Sequence, residues 1–103
     1  MMMNALTFYV GEKQHLHDMP FYEWLLKEAR ELGVHGGSAF RAIAGFGRHG
    51  RLHDEFFFEL AGELAVKVEF ILDDLLTEQL LQRVKAQSME VFYTRHTIQS
   101  GIL

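Results

Sequence analysis

Cysteine is absent from the 103 residues, which excludes disulfides, thiolate zinc sites and thiol nucleophiles. Proline occurs once, at Pro20, and with hydrophobic residues at 49% and charged residues at 23% the chain has the composition of an ordered fold, not a disordered tail. No window approaches the roughly 20 apolar residues that cross a bilayer. The first six residues lack the basic start and apolar run of a leader, so a soluble cytoplasmic protein is expected. An excess of positive charge is also missing: the net charge is -4 and the sequence pI about 5.8, which argues against nucleic acid as a partner. There is no G-x-S-x-G elbow, and Ser38, Ser88 and Ser100 stand in no activating setting, so no catalytic residue is expected. Internal repeats, low-complexity runs and linkers are absent too, and residues 1–103 read as one domain.

Against this acidic background one segment stands out. Arg41 to His53 holds three of the six arginines, two of the six histidines and no acid. Gly45, Gly47 and Gly50 allow the backbone to approach a ligand closely, and Arg41, Arg48 and Arg51 offer forked donors that match phosphate or carboxylate oxygens. With Phe46, His49 and His53 these residues form a candidate anion-binding loop. A solvated loop that is merely basic is the alternative reading of the same composition. The string is neither a Walker loop, which needs Gly-Lys-Ser/Thr, nor a dinucleotide-binding fingerprint.

The periodicity changes type along the chain. Ala5 to Gly11 alternates as a strand, with Leu6, Phe8 and Val10 on one face and Thr7 and Tyr9 on the other. Phe21, Leu25, Ala29 and Leu32 are spaced as a helix from Pro20 to Leu32, with Asp18 or a neighbour as cap and Gly33 at the C-terminal left-handed position. Ser38 to Phe46 reads as a strand, with Phe40, Ala42, Ala44 and Phe46 on one face and Arg41 and Ile43 on the other. Asp54 to Gly62, with Phe56 to Phe58, reads as a helical turn or a loop with buried rings. Leu64 to Ile71 alternates as a strand. A helix to about Gln87 follows, capped by Asp73 or Asp74 and buried along Leu76, Leu80 and Val84. Met89 to Thr97 is rich in strand formers.

The order strand, helix, strand, strand, helix, strand predicts an α+β fold, a ferredoxin-like βαββαβ sandwich with a four-stranded antiparallel sheet and two helices on one face. The uncovered face is expected to carry Thr7, Tyr9, Arg41, Ile43, Lys67 and Glu69, with either Tyr93 and Arg95 or the alternate set containing Phe92. Such a mixture of aromatic and charged groups predicts an oligomer built on that face.

The run Arg41-Ala-Ile-Ala-Gly-Phe-Gly-Arg-His-Gly-Arg-Leu-His53, preceded by Leu6-Thr-Phe-Tyr-Val-Gly-Glu12 and Pro20-Phe-Tyr-Glu23, resembles the family called domain of unknown function 190, regarded as similar to the PII signal-transduction proteins. The resemblance runs from the first strand to about Asp73 and weakens over the last thirty or so residues. It implies a PII-like homotrimer with inward-facing sheets, an adenine nucleotide or another small anionic effector in the clefts between protomers, and a loop after the second strand that contacts a protein target. A membrane channel or transporter is the kind of target it suggests. The candidate ligand-binding residues are then Arg41, Gly45, Phe46, Gly47, Arg48, His49, Gly50, Arg51 and His53.

Where PII proteins proper carry a second glycine-rich phosphate loop, this chain has Lys85-Ala-Gln-Ser-Met-Glu90, without glycine. AMP or ADP is therefore the effector expected in preference to ATP with magnesium. Lys85 and Arg95 read as surface or ion-pair charges. His15 with His17 near Asp18, and His49 with His53, have spacings that suit metal ligands, but neither pair belongs to a recognisable ligand set, and no metal is expected. His53 beside Asp54 and Glu55 suggests a base with an orienting acid only by adjacency. Ligand-independent docking of an acidic partner surface through the basic loop is the competing functional reading.

Overall fold

The computed structural model describes residues 2–45 and 65–103. Four long strands form one sheet: β1 (Met3–Gly11), β4 (Gly37–Arg41), β5 (Ala65–Asp73) and β6 (Phe92–Ile98). A two-stranded ribbon, β2 (His15–Leu16) with β3 (Met19–Pro20), leads into helix α1 (Phe21–Leu32), and helix α2 (Asp74–Lys85) joins β5 to β6. The sheet order is β4-β5-β1-β6, with every neighbouring pair antiparallel. This is the expected ferredoxin-like sandwich.

Register explains which side of each strand is dry. Leu6 pairs with Phe70, Phe8 with Val68 and Val10 with Val66, and all six are buried against the helices. Phe8 and Phe70 meet edge to face at 6.3 Å, a favourable aromatic geometry. From α1 come Phe21, Trp24, Leu25 and Ala29, and from α2 come Leu80 and Val84, so the core is a single layer between the helices and the sheet. Burial of each large apolar side chain contributes about 1.5–3 kcal/mol.

The helix ends are set by particular residues. Gly33 closes α1 at φ +97°, and the Val34 N–H donates to the Ala29 carbonyl at 3.0 Å in a 6→1 bond. Asp18 does not cap α1 as expected: Pro20 stands at the N-cap without a side-chain hydrogen bond. The ribbon consumes Asp18 instead. His17 (φ +53°) and Asp18 (φ +63°) form its turn, both left-handed, the backbone that matches the strand twist in a two-residue hairpin. At α2 the expected cap is present, since Asp73 accepts the Leu76 N–H at 2.8 Å.

Two strand boundaries differ from expectation. β4 ends at Arg41, and β6 begins at Phe92 rather than Met89. The expected end of the second strand at Phe46, the segment Asp54 to Gly62 and its three phenylalanines lie outside the described residues.

The faces also need one correction. Alternation in the sequence suggests that Arg41 lies on the uncovered side of the sheet, but it pairs with Val66, whose side chain faces the helices, so Arg41 lies on that side too. Phe40 pairs with Lys67 on the open face, where the Lys67 ammonium sits 5.3 Å from its ring centroid. The alternation along the strand is as expected and its assignment to faces is reversed. A phenylalanine can occupy the open side because β4 is a fully exposed edge strand. Ile43 lies past the end of β4 and is 95% exposed. In β6, Phe92 pairs with Tyr9 and Thr94 with Thr7 on the open face, while Tyr93 and Arg95 lie on the helix side.

Candidate functional site

Antiparallel register brings several chain segments to one end of the sheet. Gly11 pairs with Ala65, Arg41 with Val66 and Tyr9 with Phe92. The β1–β2 turn, the end of β4, the start of β5 and the start of β6 therefore lie together. The ribbon joins them, since the His17 ring Nε2 lies 3.2 Å from the Gln87 side-chain oxygen in the α2–β6 connection. The β4–β5 connection, which carries the basic run, leaves and re-enters at this end.

Of the nine candidate ligand-binding residues, Arg41 and Gly45 are described, and both are exposed. Phe46, Gly47, Arg48, His49, Gly50, Arg51 and His53 lie outside the described residues, as do Asp54 and Glu55. Arg41 is the anchored cation here. Its Nη2 lies 2.5 Å from Glu12 Oε2, with the arginine side chain 65% exposed and the glutamate 24%. Guanidinium carries five N–H donors in a planar fork, so one carboxylate contact leaves donors for a second anion. Arg41 is held in place by the last ladder position of β4 and by the Ala42 N–H, which donates to the Ala65 carbonyl at 2.9 Å.

On the opposite side of the sheet at the same end, Tyr9 and Phe92 pair with ring centroids 5.5 Å apart, and Phe40 and Lys67 complete an aromatic and cationic strip. Tyr9 is 39% and Phe40 49% exposed. The sequence does not pick out Glu12 or the Tyr9–Phe92 pair as functional, because both depend on cross-strand register.

The other flagged residues have local partners. The His15 ring Nδ1 lies 2.7 Å from the Lys13 carbonyl oxygen while His17 reaches Gln87, so the two rings serve different partners. Among the described residues, no group of three histidine or carboxylate side chains could hold a metal ion. Arg95 donates to Glu78 and lies 3.4 Å from Asp74. The hydrogen bond to Glu78, reinforced by both carboxylates, holds the guanidinium pKa above its ordinary value. This cation is committed to joining β6 to α2.

The strand order and the helices on one face define the ferredoxin-like class. A Thermus thermophilus crystal structure, described as that of a PII-like signaling protein, superposes with a TM-score of 0.63 at 16% identity, covering 94% of this chain and 87% of that one. The chain belongs to the domain of unknown function 190 family, described as Uncharacterized ACR, whose model matches residues 3–100. That match takes in β6 and most of the tail, where the sequence resemblance is weakest. A UPF0166 protein of Aquifex aeolicus strain VF5 is 33% identical over 82 residues, covering 80% of this chain and 78% of its own. Among the described residues, no helix is long and apolar enough to cross a membrane.

Proposed function

We propose that the protein is a PII-like regulator that binds a small anionic effector, AMP or ADP, between protomers of a homotrimer and signals occupancy to a protein target through residues 45–54. The carrying observation is the position of Arg41. It is an exposed guanidinium at the sheet end from which the arginine- and glycine-rich connection departs, in contact with Glu12 of the β1–β2 turn. Arg48 and Arg51, in this reading, neutralise effector phosphate while Gly45, Gly47 and Gly50 free backbone N–H groups to cradle it, and Phe46, His49 and His53 complete the pocket. Regulation follows if the effector binds one loop arrangement more tightly than another, which leaves the arginines free for a target only when the effector is gone.

The open face supports the oligomer. Tyr9, Phe40 and Ile71 are exposed there, with Phe92 and Ile98 half-buried, and a face of that composition is stabilised by contact with another copy. The α2–β6 connection supports the choice of a nucleoside mono- or diphosphate, since residues 86–91 contain neither a glycine nor a cation to clamp a third phosphate.

Calorimetric titration with AMP, ADP and ATP, with and without magnesium, alongside light scattering, tests this reading. Saturable binding by a trimer, abolished in Arg48→Ala and Arg51→Ala without loss of the trimer, is the expected result. Nucleotide affinity that survives both changes refutes the site. A trimer that binds none of the three supports ligand-independent docking of an acidic partner instead.

A further inference from the structure

Glu12 presents Arg41 with a carboxylate at the spot where the chain's own end of the proposed effector site begins. Its oxygen lies 2.5 Å from Arg41 Nη2, and Glu12 is the less exposed partner, at 24% against 65%. Glu12 stands in the turn directly after Gly11, the last ladder residue of β1, and Arg41 holds the last ladder position of β4, so the two strand ends bring the pair together. The anion is the less exposed member of the pair. A carboxylate held this way does to Arg41 what an incoming phosphate does: it takes up guanidinium donors and cancels the charge.

We infer that Glu12 is an internal competitor for the effector, an affinity-setting residue whose carboxylate occupies Arg41 until a phosphate displaces it. This rests on the effector-binding reading above. Phosphate displaces a carboxylate because it carries more charge and more acceptor oxygens, while a neutral or monocarboxylate metabolite gains nothing by the exchange. The pair therefore filters ligands by charge and sets the effector concentration at which the site fills. An exposed ion pair is weak enough to be broken by such a competitor and strong enough to shift the midpoint.

The test is a double-mutant cycle on the full chain, with AMP as the titrant and inorganic phosphate and acetate as simpler probes. Glu12→Gln keeps the shape of the side chain and removes its charge. It is expected to tighten AMP and phosphate about two- to fivefold, the range set by an exposed ion pair. Acetate is expected to compete measurably in the variant and not in the wild-type chain. In Arg41→Gln the further change Glu12→Gln is expected to have no effect. Unchanged or weaker AMP binding in Glu12→Gln overturns the inference and makes Glu12 a residue that merely positions Arg41. Tightening that persists in the Arg41→Gln background also overturns it, because the effect would then be general charge reduction. Failure of the effector reading looks different: the wild-type chain and Glu12→Gln then both lack saturable AMP binding, and both proposals fall.

Discussion

Gly37 shows how one missing side chain fixes a strand. A Cβ at this position would stand 2.4 Å from Phe70 Cε1 and 2.6 Å from its Cδ1, with Leu26 Cδ2 at 3.2 Å. Phe70 is a buried ring wedged edge-on against Phe8 and cannot swing aside. Gly37→Ala is therefore expected to destabilise the fold by about 1–3 kcal/mol, the cost of overpacking, measured by urea denaturation. On the outer helix surface, Lys27 lies 2.9 Å from Glu31, and Arg83 lies 3.8 Å from the same carboxylate. The hydrogen bond and charge of Lys27, with a smaller contribution from Arg83, lower the Glu31 pKa. A carboxylate whose folded pKa is depressed stabilises the fold above its unfolded value, and that contribution disappears as pH falls through the folded one. Carbon-detected NMR titration is expected to place the Glu31 midpoint lower in the wild-type chain than in Lys27→Ala.

Among the elements, α2 is the best tied at its start. Asp73 caps it, and Thr77 donates to the Asp73 carbonyl at 2.7 Å. The buried Asn4 amide donates to Thr77 at 3.1 Å and to Asp74 at 2.7 Å, which links the helix to β1. Asp73→Ala is expected to cost about 1 kcal/mol in chemical denaturation through loss of the cap. Asn4→Ala removes the amide that ties β1 to this turn and is expected to lower stability by about 1–3 kcal/mol, because polar groups would be left buried without it. The Asp73 cap, the α1 closure at Gly33 and the alternation of β1 and β5 are legible in the sequence, because each is a local signal. The ribbon is not, since its turn is His17-Asp18 where Asn-Gly would announce a hairpin, and the face of β4 is not, since a phenylalanine suggests the core and an arginine suggests solvent. Parity along a strand is local. Its assignment to a face depends on a partner strand that is distant in sequence.

For the whole molecule, the open sheet face is the surface on which the proposed oligomer depends. Thr94 lies mid-strand there, opposite Thr7, away from the helices and from Arg41. Thr94→Arg is expected to convert a trimer to monomers in light scattering while leaving the far-ultraviolet circular dichroism unchanged. An intact trimer in that variant places the assembly surface elsewhere. Membership of the family and the fold are legible from the motif around Arg41 and the order of elements. The site is legible as composition only. The sequence supplies the cations, but the anion that meets Arg41 comes from the β1–β2 turn and becomes apparent only when β1 and β4 are seen to end together.

The strand order also bears on how the sheet is made. β1 lies at its centre, yet its two neighbours are β5 and β6, so Met3 faces Asp73 on one side and Ile98 on the other. β1 therefore completes its ladder only when β6, the strand farthest from it in sequence, has docked. The core does not wait for that closure, because Leu6, Phe8 and Val10 pair with β5 and pack under the two helices, and β6 adds no residue to the buried core. Closing this long-range pair carries a loop-closure cost that a sheet paired in chain order would not have.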